Sequence, residues 1–129
     1  CCQEIIINKI KNILFTSSIS VYDGIKGEID EKVEPKPTNI SSKEILISEK
    51  KLMGLKDINL IILRLGGLVG VNRNPIFSLA KKDIVKLEGR INLIHQKECI
   101  LIISELIKIP FSNNIFNCVY PYHPLKKDY

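Results

Sequence analysis

Short apolar runs alternate with longer amphipathic stretches along this chain. Asn12–Ser17 and Ile115–Val119 have the length of strands, and Ile58–Leu65 is nearly continuous apolar sequence, as expected for a strand buried on both faces. Ser41–Leu55 and Lys97–Ile109 instead place their apolar residues at helical spacing among polar ones. Strands that alternate with helices predict βαβ units, and therefore a parallel sheet with flanking helices.

Caps and helix breakers set the predicted ends of these elements. Ser41 or Ser42 is expected to cap the longer helix, and Pro110 to follow the end of the later one. Glycine and proline predict loops at Ser18–Asn39 and around Gly66–Gly70. The remaining segments are predicted as the end of a helix at Cys2–Lys11, a helix at Pro75–Lys82, and short strands at Ile84–Leu87 and Ile91–Ile94.

The composition is that of a folded domain. The chain has 129 residues, 45% hydrophobic and 26% charged, which is enough apolar sequence for a packed core. No apolar run approaches the roughly 18–20 residues that span a bilayer, so no membrane partner is expected. The chain begins with Cys1, and its only methionine is Met53. This favours a fragment of a longer protein, although cleavage of a leader is an alternative.

Charge and cysteine usage narrow the function classes. The net charge of +5 comes from 16 Lys and 3 Arg, and the lysines are scattered and not clustered on one face. With 24 Ile and many Asn, this pattern indicates compositional bias on a solvated surface, so no nucleic-acid partner is expected. The four cysteines form no CxxC pair and fit no metal site, which favours reduced thiols in a cytoplasmic protein.

Residues that could bind a ligand or take part in catalysis follow the predicted strands, at the edge where parallel sheets bind their ligands. They are Thr16–Gly24 (TSSISVYDG), Arg64–Gly70 (RLGGLVG), Asn92–His95 (NLIH) and Ile115–Asn117. In this order the segments resemble the extended short-chain dehydrogenase/reductase family, the NAD-dependent epimerase/dehydratases, and within it the bacterial YeeZ-type branch. The resemblance runs from about residue 12 to residue 129.

The resemblance implies an α/β fold, namely a partial Rossmann-like parallel sheet with flanking helices. The N-terminal dinucleotide-binding βαβ half is expected to be missing, because the family's glycine turn for the pyrophosphate has no counterpart here. Residues from about 12 to 95 would form the second half of the NAD(P)-binding domain, and residues from about 96 to 129 the start of a substrate lobe. The implied cofactor is NAD or NADP, and the implied partner is a small-molecule substrate, with a nucleotide sugar as one candidate. The oligomeric state stays open.

Two residues are catalytic candidates by the same resemblance. Ser18 stands where the family has a Ser or Thr that hydrogen-bonds the substrate oxygen as hydride moves. Lys43 fits the lysine of the family's Tyr-x-x-x-Lys pattern and would contact the cofactor ribose. The tyrosine position is Asn39, and an amide cannot exchange a proton at neutral pH. The usual dehydrogenase or epimerase chemistry therefore lacks its main acid/base here.

Binding residues complete the predicted site. A charged residue such as Arg64, ending a buried strand, needs a partner or a ligand. The alternatives are ordinary: a solvated helix lysine at position 43, a tight turn at the glycines, a surface arginine at position 73 and a structural histidine at position 95. The implied cofactor contacts are Ser17, Lys43, Arg64, Gly66, Gly67 and Leu68, and the implied substrate contacts are Arg73 and His95.

Three functions remain open at this stage. The first is an NAD(P)-dependent epimerase/dehydratase-like oxidoreductase of unknown substrate. The second, motivated by Asn39, is a protein that binds a dinucleotide or a nucleotide sugar without catalysis. The third is a degenerate remnant without activity. In each case we expect the isolated chain to bind NAD(H) weakly or not at all and to leave part of its apolar surface uncovered.

Overall fold

A computed structural model of the chain describes residues 1–74 and 91–123. The predicted helix Pro75–Lys82 and strand Ile84–Leu87 lie outside these residues. A 3-10 turn at Ile19–Tyr22 follows the first strand. In chain order the other elements are α1 (Cys2–Ile7), β1 (Asn12–Ser18), α2 (Ile40–Met53), β2 (Asn59–Leu65), β3 (Gly67–Val69), β4 (Leu93–His95), α3 (Gln96–Leu106) and β5 (Asn114–Cys118).

The main sheet is parallel and has the strand order β1-β2-β5. Its central strand β2 is the most buried, with Ile61, Ile62 and Leu63 each 1% exposed. The register aligns Ser17 of β1 with Arg64 of β2, and Arg64 with Asn117 of β5. A second, two-stranded parallel sheet is formed by β3 and β4. The predicted α/β architecture, a parallel sheet with flanking helices, is confirmed.

Alternate residues of β2 build two cores on opposite faces of the sheet. On one face, Leu60 and Ile62 pack with Ile5 of α1 and Leu52 of α2. On the other face, Leu63 packs in a cluster with α3, β4 and the end of β5. Full burial of one such aliphatic side chain contributes about 1.5–3 kcal/mol, so both faces of this strand stabilise the sheet.

Several boundaries differ from the predicted ones. Helix α2 begins at Ile40 and is capped by Asn39, so the prediction of a serine cap was wrong. The glycine segment after β2 is not only a loop, since Gly67–Val69 forms β3. Helix α1 ends at Ile7, and Lys9 shortly after it has a positive φ of 51°, which ends the helical path.

The long connection from β1 to α2 is closed at its base and tied down at its tip. Gly24 N donates to Lys36 O at 3.0 Å, which brings the two ends of the loop together. At the tip, the carboxylate of Glu31 accepts a hydrogen bond from Asn117 N of β5 at 2.7 Å. The next residue, Cys118, accepts a hydrogen bond from Gly66 N on the β2 side. Because backbone groups of successive strand residues point to opposite sides, the Asn117 N–H points to the open side of β5. The loop therefore covers part of an edge strand.

Apolar side chains also remain on the outer surface. Ile6 and Ile7 of α1 and Ile100 and Leu101 of α3 are all exposed. These positions lie on the sides of the two helices that face away from the sheet. Among the described residues, no helix has the length and apolar character needed to cross a membrane.

Candidate functional site

The strand ends converge at the carboxyl edge of the main sheet. Gly66 N donates to Cys118 O at 2.9 Å, and Gly67 N donates to Asn92 O at 2.8 Å. Tyr120 N, after β5, donates to Leu93 O of β4 at 2.7 Å. The β3–β4 pair is therefore hydrogen-bonded directly to the ends of β2 and β5. This is the edge where open parallel sheets bind their ligands.

Ser18 ends β1 at this edge and begins the 3-10 turn. Its Oγ accepts a hydrogen bond from Ser20 N at 3.1 Å, which caps the turn. A serine hydroxyl has one O–H donor besides its acceptor lone pairs. With the oxygen held by Ser20 N, the O–H of this half-buried side chain can still be directed at a ligand oxygen.

Arg64 is held in a buried ion pair below the same edge. Its Nε donates to Glu49 Oε1 at 3.0 Å and its Nη2 to Glu49 Oε2 at 2.6 Å. Arg64 is 2% exposed and Glu49 is 0% exposed. This two-pronged geometry is the strongest form of an arginine–carboxylate pair. Glu49 is therefore the partner that a charged residue at the end of a buried strand requires.

Two further side chains complete this cluster. Ser17 Oγ donates to Glu49 Oε1 at 2.5 Å. Arg64 Nη1 donates to the Tyr22 hydroxyl, and the guanidinium carbon lies 4.9 Å from the centre of the Tyr22 ring. We call Ser17, Tyr22, Glu49 and Arg64 the buried polar cluster. It joins β1, the 3-10 turn, α2 and β2.

Electrostatics keep the arginine charged. Burial alone would lower the pKa of Arg64, but its hydrogen bonds to Glu49 and the charge of that carboxylate, with a smaller contribution from Tyr22, raise the pKa above its ordinary value. Three guanidinium nitrogens are engaged by protein groups. Sequence reasoning singled out Arg64 and Ser17 but missed Glu49 and Tyr22. The available signal was Glu49 itself, a carboxylate between Ile45 and Leu52 on the inward stripe of α2.

Position 39 has a structural task at the start of α2. Asn39 Oδ1 accepts from Ser42 N at 2.8 Å, and Asn39 Nδ2 donates to Asp23. Asp23 also accepts from Thr38 N at 2.5 Å. Burial would raise the pKa of Asp23, but the N–H and hydroxyl of Thr38 and further bonds from the helix start lower it below its ordinary value. The amide therefore anchors the helix to the segment after Ser18.

Lys43 lies one turn into α2 and is exposed. Its N–H donates to Asn39 O at 3.1 Å, in the first turn of the helix. The bonds between Asp23 and Asn39 hold this turn next to the segment that follows Ser18. Lys43 therefore belongs to a helix turn that is bonded to Asp23, which lies five residues after Ser18 in the sequence.

The two glycines after β2 allow a close approach of backbone to backbone. A Cβ at Gly66 would lie 2.8 Å from Asn92 O, and one at Gly67 would lie 2.9 Å from a Leu93 methyl carbon. The neighbour that requires these glycines is thus the chain itself, at the start of β4. Leu68 is half-buried against the core on the α3 side.

Arg73 and His95, the predicted substrate contacts, lie at separate places near this edge. Arg73 is exposed and closes a turn with Gly70 through two backbone bonds of 2.9 and 3.1 Å. His95 Nδ1 accepts from Lys97 N at 3.1 Å, while the carboxylate of Glu98 accepts from His95 N at 3.3 Å. These reciprocal bonds form a capping box that starts α3, so His95 has a structural task.

No metal site is evident in the part of the chain that the structure describes, and the two buried thiols there are unreactive. No group of three His, Cys, Asp or Glu side chains gathers there to hold a metal ion. All four cysteines are free, and Cys99 and Cys118 are buried. Burial raises the pKa of Cys99. Burial, followed by the charges of Cys99 and Glu98, raises the pKa of Cys118 to about 11. Both thiols are therefore poor nucleophiles at neutral pH.

A separate groove of about 470 Å³ lies away from the carboxyl edge. It runs from the end of α2 to the first residues of β2 and β5, with the loop tip at Glu31 and Lys32 on one side. Its lining is mostly apolar and contains no residue predicted for the site.

The chain is similar in sequence to a curated protein. No protein-family model matches the chain. The protein YeeZ of Escherichia coli K12 is 34% identical over 119 residues, which are 92% of this chain and 43% of YeeZ. The predicted resemblance to the YeeZ-type branch of the extended short-chain dehydrogenase/reductase superfamily is confirmed by this match. The chain spans less than half the length of that relative.

Solved structures show the same fold. One is the UDP-N-acetylglucosamine 4-epimerase of Bacillus cereus, with a TM-score of 0.77 and 20% identity over 98% of this chain and 48% of the epimerase. Another is RMD of Pseudomonas aeruginosa in complex with NADPH, with a TM-score of 0.80 and 14% identity over 98% of this chain and 50% of RMD. The fold is thus Rossmann-like, and this chain corresponds to about half of each structure.

Proposed function

We propose that this chain forms the nicotinamide side of the site in an NAD(P)-dependent epimerase/dehydratase-like oxidoreductase. The observation that carries the proposal is the Ser18 hydroxyl, fixed at the carboxyl edge of a parallel sheet in a YeeZ-type chain. Ser18 would donate to a carbonyl or alkoxide oxygen of the substrate. Such a donor stabilises charge that develops on that oxygen during hydride transfer.

The other predicted residues take supporting roles in this proposal. Lys43, exposed on the first turn of α2, would contact the cofactor ribose. The backbone of Gly66–Leu68 would pass beside the nicotinamide. Arg73 and His95 would meet the substrate at the outer side of the β3–β4 pair. These residues fit the nicotinamide half of NAD or NADP, and the bound cofactor would supply the hydride chemistry. We place the protein in the cytoplasm, in keeping with its free cysteines.

The proposed substrate is a small molecule with an oxidisable hydroxyl, and a nucleotide sugar is the leading candidate. One structural neighbour is named for UDP-N-acetylglucosamine, which motivates the choice. Because Asn39 caps α2 and cannot exchange a proton, the proton from the substrate hydroxyl must leave through another group or through water. A protein that binds both ligands without turnover is the second candidate, and the same Asn39 geometry favours it.

Titration of the 129-residue chain with NADH and NADPH tests the binding claim. We expect saturable binding with a dissociation constant above about 100 μM, because only one end of the dinucleotide is held. This corresponds to a binding free energy of less than about 5.5 kcal/mol in magnitude. Lys43→Ala should weaken binding by about threefold, because an exposed charge contact contributes less than about 1 kcal/mol. Lys51→Ala, on the last turn of the same helix, is the matched control and should bind like wild type.

The results separate the candidates. Equal affinity of wild type and Lys43→Ala, or no saturable binding at several millimolar, contradicts the proposed site. For the native protein isolated from its own cells, oxidation of NADH in the presence of a nucleotide-4-keto sugar would support the enzyme. Binding of both ligands without turnover would support the non-catalytic protein.

A further inference from the structure

Ser18 lies between two residues that are anchored to the same ion pair. The residue before it, Ser17, is bonded to Glu49, and Tyr22, at the end of the turn after it, is bonded to Arg64. Because successive side chains of a strand point to opposite faces, Ser17 reaches the cluster under α2 while Ser18 stays outside it. The backbone on both sides of Ser18 is thus fixed, although Ser18 makes no contact with the ion pair itself.

The ion pair also fixes α2. Glu49 lies six residues after Lys43 on the same helix, and its carboxylate is bonded at both oxygens. A two-pronged bond defines direction as well as distance, so it restricts rotation of α2 about its own axis. The orientation of Lys43 at the start of this helix therefore depends on the same pair as the position of Ser18.

Stability alone is a weak reason for this arrangement. Removing two charges from water is costly, and apolar residues of similar size often stabilise a core as well or better. The cluster nevertheless has its hydrogen-bonding groups matched in one geometry, across four elements of the fold. A network of this kind defines one arrangement of its members more sharply than apolar packing does.

From these contacts we propose that Glu49 and Arg64 are positioning residues for the ligand site, with Ser17 and Tyr22 as the arms that transmit their positions to Ser18. The consequence for ligand binding rests on the proposed function. The positional claim does not, since it concerns only the backbone from Ser17 to Asp23.

Two mild substitutions test the arms without removing the ion pair. Tyr22→Phe deletes the hydroxyl that accepts from Arg64, and Ser17→Ala deletes the hydroxyl that donates to Glu49. The matched controls are Tyr120→Phe, at an exposed tyrosine outside the cluster, and Ser48→Ala, at an exposed serine on α2. Each substitution removes one oxygen atom, so the pairs differ in location and not in chemistry.

The decisive readout is amide hydrogen exchange measured by NMR. If the arms position Ser18, exchange should accelerate by about fivefold or more at Ser20 and Asp23, whose N–H groups bond within the turn, and should stay unchanged at Leu63 in the core. Both controls should leave all three amides unchanged. Equal acceleration at Leu63 would show a purely structural role and would overturn the proposal, as would no acceleration at the turn.

A second readout links the cluster to the ligand. The double variant Ser17→Ala/Tyr22→Phe should bind NADH about threefold or more weakly than wild type. An Ile61→Val variant, which perturbs the sheet core away from the cluster, should retain wild-type affinity. Unchanged affinity of the double variant contradicts the ligand part of the proposal. If wild type itself binds no dinucleotide, the proposed function fails, while the exchange data still decide whether the cluster positions Ser18.

Discussion

Replacing Glu49 by leucine should be among the most damaging single changes in the chain. The substitution leaves the Arg64 guanidinium 2% exposed and without Glu49, the one carboxylate that it pairs with among the described residues. Removal of one partner from a buried ion pair destabilises a protein by about 3–5 kcal/mol. Ser17 also loses the acceptor for its hydroxyl, which adds about 1 kcal/mol. Since the free energy of unfolding of a small domain is about 5–15 kcal/mol, this loss is a large share of the total stability.

Removing both charges should be much less harmful. In Glu49→Leu/Arg64→Met no buried charge is left unpaired, so only the hydroxyls of Ser17 and Tyr22 lose their partners. Each loss contributes about 1 kcal/mol, and the apolar replacements recover part of it through packing. The double variant should therefore be more stable than Glu49→Leu, with a coupling free energy of about 3 kcal/mol or more between the two positions.

Urea unfolding followed by far-ultraviolet circular dichroism measures this cycle, since each free energy of unfolding is obtained from the transition midpoint and slope. If Glu49→Leu is too unstable to give a folded baseline, Glu49→Gln provides a milder single variant, because its amide oxygen can still accept from Ser17. A single variant within 1 kcal/mol of wild type would refute the reasoning. So would a double variant that is as unstable as the sum of the two single ones.

Four other changes have clear expected outcomes. Gly66→Ala should destabilise the chain by about 2 kcal/mol or more, because its Cβ would meet a backbone carbonyl oxygen at 2.8 Å. Gly54→Ala should be neutral or stabilising in the same urea assay, since its nearest contacts are ordinary at 3.5 Å. Asn39→Asp should be destabilising although aspartate is a good helix cap, because the new carboxylate would face Asp23; a melting temperature equal to wild type would contradict this. The buried thiol of Cys118 has a pKa raised to about 11 from an ordinary 9.0, so its contribution to stability should be complete below pH 9 and be lost as the pH rises to 11. Cys118→Ala should lose this pH dependence in thermal melts, and an unchanged slope would refute the assignment.

The order of strands and helices was accessible from the sequence because it rests on local patterns. Ile58–Leu65 is a nearly continuous apolar run between Asp57 and Gly66, and the observed strand β2 differs from it by one residue. Helix α3 likewise begins one residue before the predicted start. In both cases neighbouring residues carry the information, and burial of the apolar side chains agrees with the local preference.

The elements that were missed depend on partners distant in sequence. The capping bond of Asn39 to Ser42 N is local and was open to prediction, but position 39 was interpreted only as the family's tyrosine position. Its second partner, Asp23, lies 16 residues earlier and could not be predicted from neighbouring residues. Strand β3 contains Gly67 and has three residues, and it exists through pairing with β4 after a gap of more than 20 residues. The sequence indicated that Arg64 needs a partner, but only the packing of α2 on the sheet shows that Glu49 supplies it.

Saturation-transfer difference NMR of NADH with the 129-residue chain tests the central claim most directly, because it detects weak binding and shows which end of the ligand is held. We expect stronger saturation on the nicotinamide and its ribose than on the adenine, with a loss in Lys43→Ala and none in Lys51→Ala. Saturation centred on the adenine, or no saturation at millimolar ligand, would contradict the assignment of this surface to the nicotinamide side of a dinucleotide site.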